Sequence, residues 1–348
     1  MKKDFRVLFY VYPTAFQSPG GGEVQLTQTK KYLEELGISV KLFDPWQDKL
    51  KDYDILHTFG SVKDCLPMME AAKNAGIKNV LSTICWYSWK SAWLTYSEPS
   101  ARIISALRHA AKVFLPFLPS ERKRMMEIAD ILLPNSKSES LQLQHFFGMP
   151  ENKILIVPNG VSETFAAASP ELFISKYGFK NFVLSVGRIE PRKNQLNMIR
   201  ALNNIAAPVV IIGDYVPHYR NYYERCKKEA SSNIHFLGAM PHASELLPSA
   251  YAACHSFVLP SWLETPGLAA LEAGLAGANV VITTEGATRE YFSDYAAYAA
   301  PEDAAGMRRA VENSLTTPKD GKLKNYVLQN YLWKNAAQKN LDAYQRVL

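Results

Sequence analysis

The sequence predicts an α/β chain with two doubly wound parallel-sheet domains facing across a cleft. Three observations carry this: a length beyond one ordinary core, two series of short apolar runs alternating with helical stretches, and a turn-rich break between the series. At 348 residues the chain exceeds the size at which a single core normally keeps growing. With 47% hydrophobic and 21% charged residues it reads as globular, and neither a disordered nor a fibrous chain fits.

The first series is Val7 to Val11, Val40 to Phe43, Ile55 to His57, Val80 to Ile84, Ile131 to Leu133 and Ile154 to Val157. Short apolar runs between helical patterns are the mark of a parallel sheet covered on both faces. The second series begins at Phe182 to Val186 and continues through Val209 to Ile212, Ile234 to Phe236, Phe257 to Leu259 and Val280 to Ile282. Pro158-Asn159-Gly160 and then Ala166 to Pro170 interrupt the periodicity, which sets the expected hinge within 160–175. The expected domains are therefore 1–165 and 166–333. The closing stretch, 334–348, has Leu341, Tyr344 and Leu348 at helical spacing, and it either completes the second domain or returns to the first. Two such sheets would place ligands outside the carboxyl ends of their strands.

Several classes are set aside early. Val7 to Val11 is too short for a secretion signal, and Ile103 to Leu118 is broken by Arg108, His109, Lys112 and Pro116 well below the roughly 20 residues of a membrane span. Cys65, Cys85, Cys226 and Cys254 form no CxxC pair, so free thiols in a reducing, cytoplasmic setting are expected and no metal cluster is apparent. The net charge of +6 suits an anionic partner but lacks the dense basic tract of a nucleic-acid binder.

Three segments carry chemistry. Gly20-Gly21-Gly22 follows the first strand and leads into a helix, so its backbone can approach a ligand; a tight strand-to-helix turn requires the same residues, and the spacing is not that of a dinucleotide fingerprint. Ser185 to Asn194 starts at the end of a strand and holds Arg188 and Lys193. A guanidinium fork beside a mobile ammonium suits a diphosphate, although a solvated basic loop reads the same by charge alone. In the third, Pro260 to Ala273, a strand ends and a helix is expected from Pro266, with Glu264 on the loop and Glu272 about two turns inside. Glu264 is placed for a polar ligand group, and the backbone near Gly267 and Leu268 can receive phosphate oxygens.

Together these segments resemble glycosyltransferase family 4, the group 1 retaining transferases. The resemblance rests on Glu264 and Glu272 with seven residues between, Gly267-Leu268, Leu271-Glu272-Ala273, Gly187-Arg188 with Lys193, Pro158-Asn159-Gly160-Val161 and the glycines 20–22. It spans nearly the whole chain and implies a GT-B fold of two Rossmann-like domains. It also implies that Arg188 and Lys193 hold the donor diphosphate, Glu264 orients the transferred sugar, and Glu272 bonds the nucleotide ribose. Thr265, Gly267 and Leu268 would then line the donor, and Gly21 and Gly22 would reach its phosphates from the other domain. The closing helix would return to the first domain, with Trp333 near the hinge.

Two positions depart from the family pattern. Pro266 lacks an N–H where a backbone donor is usual. Cys85, beside Trp86, aligns where a histidine is usual, and His57 on a neighbouring strand is either its replacement or a structural histidine. The stretch Trp86 to Tyr96, including Trp89, is either an acceptor-stacking surface or an aromatic loop packed on its own domain. Phe114 to Leu118 before Arg122-Lys123-Arg124 is either a peripheral membrane contact or a core segment beside a charge run.

The resemblance implies transfer of a sugar from a nucleotide-diphosphate sugar to a glycan or lipid-linked acceptor, by a front-face retaining reaction without metal or other cofactor, in the synthesis of bacterial cell-surface polysaccharide. An inert binder of a nucleotide sugar or glycan is the rival from another class.

Overall fold

β1 (Arg6–Tyr10), β2 (Ser39–Leu42), β3 (Ile55–Phe59), β4 (Lys78–Ser82) and β5 (Ile131–Leu132) pair in the order β2-β1-β3-β4-β5, all parallel. A second parallel sheet holds β6 (Val183–Val186), β7 (Val209–Ile212), β8 (Ile234–Phe236), β9 (Ser256–Leu259), β10 (Asn279–Thr283) and β11 (Ala297–Ala299), in the order β11-β10-β9-β6-β7-β8. The structure, a computed structural model, describes residues 5–17, 20–94, 99–114, 120–241 and 244–348.

These runs form strands because helices cover both faces of each sheet, which rewards continuous apolar sequence over alternation. All five residues of β3 and all four of β9 are buried, whereas the edge strand β2 buries only Val40. Each sheet has a switch point where the chain winds off in opposite directions, between β1 and β3 in one and between β6 and β9 in the other. The loops at the carboxyl ends of β6 and β9 therefore meet where open sheets bind ligands, and they carry residues 187–194 and 260–267.

The chain divides into two units: 1–87, 110–160 and 333–348 in the first, 88–109 and 161–332 in the second. The division falls between Gly160 and Val161, so the Ala166 to Pro170 stretch lies within the second unit, leading to the helix Glu171–Tyr177. Val161 and Leu332, at the two ends of that unit, form a parallel bridge, and Val161 N–H donates to Tyr331 O at 2.8 Å. The helix Trp333–Val347 packs on the helix Gly21–Glu35 of the first unit, and its Tyr344 bonds His57.

Two sequence expectations need correction, and one strand was not foreseen. Ile154 to Val157 makes no strand; Ile154 forms a single bridge to Leu132, because the turn Glu151–Lys153 precedes it and Pro134 opposite has no N–H. β11 is a strand that the sequence concealed, being three residues of Ala-Tyr-Ala at a sheet edge. The helix expected from Pro266 starts at Leu268, so Glu272 is just over one turn inside it.

Candidate functional site

Residues 187–194 are held by their own side chains and by the adjacent β9 loop. Gln195 Nε2 donates to Arg188 O at 2.8 Å, and Glu190 N–H donates back to Gln195 Oε1 at 3.4 Å. Pro191–Lys193 is a short 3-10 turn that ends at Asn194 in the left-handed region, φ 60°. Asn194 tolerates that backbone better than most residues, and its Nδ2 reaches Pro260 O at 3.0 Å and Pro301 O at 2.8 Å. Trp262 N–H donates to Arg192 O at 2.9 Å, closing the β6 loop onto the β9 loop.

This stitching brings charges together. Lys193 Nζ lies 2.5 Å from Glu264 Oε1, which also accepts from Ser261 Oγ at 2.6 Å and lies 4.0 Å from Arg192 Nη1. Arg192 Nη2 is 3.1 Å from Glu190 Oε1, and Arg188 Nε is 3.7 Å from Glu190 Oε2. Three cations thus face two carboxylates, leaving an excess of positive charge for an anionic ligand. Burial favours a neutral Glu264, but Lys193, Arg192 and the hydrogen bond from Ser261 outweigh it and hold the carboxyl below its ordinary range. Burial pulls the Lys193 ammonium down, and Glu264 works against that pull.

Glu264 is placed by backbone as well. It forms a parallel bridge with Gly286, accepting from Ala287 N–H at 3.0 Å and donating to Glu285 O at 3.2 Å. Gly286 has φ 100°, and a Cβ there would sit 1.8 Å from Glu264 O, so only glycine fits. Lys90 pairs with Glu285 Oε1 at 2.8 Å and Glu302 at 3.1 Å. It thereby ties the segment 88–109 to the turn that holds Glu264.

Thr265 and Pro266 lead to Gly267, φ 69°, which caps the helix Leu268–Leu275. Leu268 and Ala269 are half-buried in its first turn, where the backbone N–H groups point out of the helix and favour an anion. Pro266 thus precedes the helix, and its missing N–H removes no donor from the first turn. Glu272 is buried, and its Oε2 accepts from the fully buried Tyr251 hydroxyl at 2.9 Å. Glu190, Arg192, Tyr251 and Lys90 escaped sequence reasoning. Arg192 stands beside Lys193, so its type and position were available; the other three show only in the fold.

Of the remaining candidates, Gly21, Gly22, His57, Cys85 and Trp86 belong to the first unit and Trp89 to the second. Gly21 and Gly22 open the helix Gly21–Glu35, but Glu23 turns its carboxylate back onto Gly20 N–H at 2.7 Å and Tyr12 Oη at 3.2 Å. Of the two readings of His57, the geometry is that of a structural histidine: it is wholly buried, its Nδ1 2.7 Å from Tyr344 Oη and its Nε2 2.9 Å from Ser82 Oγ. Burial lowers its pKa to about 3, so the ring is neutral.

Cys85 is also buried, and burial pushes its thiol up to about 11. It is not a poised nucleophile. Its N–H donates to Glu139 Oε1 at 2.6 Å, anchoring a turn in which Ile84 takes φ 43°, rare for a β-branched residue. Trp86 is half-buried in the first unit, and Trp89, 46% exposed, packs edge-on to His109 in the second, at 4.3 Å between ring centres. Of the aromatic stretch, Thr95 and Tyr96 lie outside the described residues, as do Leu115 to Leu118 of the expected membrane contact. All four cysteines are free and buried. Among the described residues no helix is long and apolar enough to cross a membrane, and no group of three or more His, Cys, Asp or Glu is arranged for a metal.

Residues 173–330 match the family model described as glycosyl transferases group 1. The chain is 25% identical to O-antigen chain mannosyltransferase B of Escherichia coli over 258 residues, covering 65% of each chain. It is 25% identical over 319 residues to D-inositol 3-phosphate glycosyltransferase of Stackebrandtia nassauensis, covering 77% of this chain and 72% of that one. The chain therefore spans about two thirds to three quarters of the length of these relatives. Among solved structures it is similar to sucrose-phosphate synthase from Thermosynechococcus elongatus, with TM-score 0.77, 17% identity and 98% of both chains covered. It is also similar to Anabaena Alr3699/HepE in complex with UDP and glucose, with TM-score 0.72, 16% identity, and 98% of this chain and 99% of that one covered. These likenesses show the fold: two Rossmann-like units of the GT-B class.

Proposed function

We propose that this chain, whose residues 173–330 match the model of the group 1 glycosyl transferases, transfers a sugar from a nucleotide-diphosphate sugar to a glycan or lipid-linked acceptor. The observation that carries the proposal is the part-buried meeting of Lys193 with Glu264, beside Arg188 and Arg192 and close in sequence to the helix end at Gly267 and Leu268.

In this reading Arg188 and Lys193 face the donor diphosphate. As the bond from anomeric carbon to phosphate breaks, negative charge grows on the leaving group, and cations fixed in advance stabilise that charge more than the ground state. The backbone N–H groups of Gly267 and Leu268 add donors at a helix end, with Thr265 alongside. Glu264, kept ionised by Lys193 and Arg192, accepts hydrogen bonds from the sugar hydroxyls. Glu272, oriented by Tyr251, accepts from the ribose.

We further propose retention at the anomeric carbon, with a leaving-phosphate oxygen taking the acceptor's proton. The charge balance at the diphosphate comes from side chains rather than a metal, so transfer is expected to persist with a chelator present. The O-antigen mannosyltransferase among the relatives supports a place in bacterial cell-surface polysaccharide synthesis.

The test is a single-turnover assay across a panel of nucleotide sugars, with product stereochemistry read by NMR. Release of nucleoside diphosphate with an α-configured donor giving an α-linked product is the expected result. Protection of a donor without its consumption would make the protein an inert binder, and inversion would remove the retaining mechanism.

A further inference from the structure

Arg122 opens the helix Glu121–Ile128 with its neighbour Glu121 and is half-buried in the first unit. Its Nε donates to Ser61 O at 3.1 Å and its Nη1 to Tyr87 Oη at 2.7 Å, with Cζ 5.7 Å from the Tyr87 ring centre and the Cys85 thiol alongside. All of these partners are neutral. Burial pushes the Tyr87 phenol up to about 12 and the Cys85 thiol up to about 11. Arg124, two residues on, is exposed and pairs with Glu70 at 3.4 Å, whereas among the described residues no carboxylate pairs with Arg122.

The surroundings are those of a ligand site. Ser61 follows β3 and residues 85–87 follow β4, neighbours in the first sheet, and Gly60 and Ser61 extend their ladder through bonds to Ser82 O and Thr83 O. The group therefore stands at the carboxyl end of the sheet, next to the switch point between β1 and β3, where open parallel sheets bind ligands. It is also rigid. Gln142 grips the Tyr87 backbone from both sides, accepting from its N–H at 2.7 Å and donating to its carbonyl at 3.0 Å, and the Tyr87 ring packs on Phe146 and Phe147.

A guanidinium partly withdrawn from water and met only by neutral groups keeps a charge that the protein does not offset. It also has five N–H donors, more than Ser61, Tyr87 and Cys85 take up. A planar oxyanion answers both, because its charge and its paired oxygens match the guanidinium fork. The adjacent Trp86 is half-buried, and indole faces stack on sugar rings.

We propose that Arg122, positioned by Ser61 and Tyr87, holds an oxyanion group, a phosphate or a carboxylate, on the sugar that serves as acceptor. That this sugar is the acceptor rests on the transferase reading; the subsite itself belongs to the first unit alone.

Titration calorimetry of the full chain with the 6-phosphates and the uronates of glucose, mannose and galactose, and with the neutral parent sugars, tests it. At least one anionic sugar should bind about tenfold or more tighter than its parent, since a hydrogen bond to a charged group exceeds a neutral one by that margin. Preference confined to the phosphates, or to the uronates, names the oxyanion. Arg122→Gln should erase the preference, and Arg122→Lys, which keeps the charge without the fork, should keep part of it. Three outcomes would overturn the proposal: no preference in the unaltered chain, a preference undiminished in Arg122→Gln, which would move the anion to another basic group, or an equal loss of neutral and anionic sugars, which would make Arg122 a structural prop. Binding is read here without turnover. A chain that prefers the anionic sugar yet consumes no donor would keep the subsite and lose the transferase reading instead.

Discussion

Lys193 and Glu264, 71 residues apart in sequence, form a part-buried ion pair 2.5 Å long that joins the loop after β6 to the loop after β9. The two groups were expected to serve different parts of a donor, yet each is also the other's counter-ion. Removing one leaves the other buried and under-compensated. Lys193→Met should therefore destabilise the protein by about 3 kcal/mol, and adding Glu264→Gln should restore much of that loss. Urea unfolding of the single and double variants measures it; equal stability of all three would show that the pair contributes nothing.

Tyr251 holds Glu272 through a hydroxyl that has no contact with solvent. Tyr251→Phe deletes that bond while keeping the ring, which packs against Phe165 and Phe257. The donor KM should rise several-fold, with kcat little changed, because ribose binding is common to ground and transition states. A fall in kcat at constant KM would place Tyr251 nearer the reacting atoms.

His57 gives the protein an acid-sensitive point. Its folded pKa of about 3 lies below the ordinary 6.5, so between these values the unfolded chain binds a proton that the folded chain refuses. The stability is fully present above about pH 6.5 and falls by about 1.4 kcal/mol per pH unit as pH drops through that window. Unfolding followed at about pH 7 and about pH 5 should show a loss of about 2 kcal/mol that His57→Gln abolishes. A slope unchanged by the substitution would assign the acid sensitivity to other groups.

Much of this was legible in the sequence because it is local. Apolar runs located ten of the strands, since buried parallel strands need continuous hydrophobic sequence, and Pro260 to Ala273 read in advance as a strand end, a loop and a helix. What escaped was set by distant contacts. No local pattern shows that Ser88–His109 groups with residues 161–332, that Tyr251 reaches Glu272, or that Lys90 meets Glu285. His57 was ambiguous because its partner, Tyr344, comes from the far end of the chain. The bond from Gly20 N–H to the Glu23 carboxylate, by contrast, joins residues three apart, and both were visible in the sequence.

Gly286 sets the position of Glu264. A methyl group at 286 meets the Glu264 carbonyl oxygen, so Gly286→Ala must displace one of the two turns. Thermal unfolding should show a loss of stability well above that of an ordinary surface substitution, and sugar transfer should fall with it. Wild-type stability and activity in this variant would show that the Glu264 turn yields easily.

Arg188 separates catalysis from folding more cleanly than Lys193 does. Its side chain is 39% exposed and its carboxylate neighbour, Glu190, also pairs with Arg192, so its loss strands no buried charge. Pre-steady-state measurement of nucleotide release from a donor found active with the unaltered chain is the most direct test of the account. Arg188→Ala should retain the unfolding midpoint and lower the rate about a hundredfold. An unchanged rate in that variant would contradict the assignment of the β6 loop to the donor diphosphate.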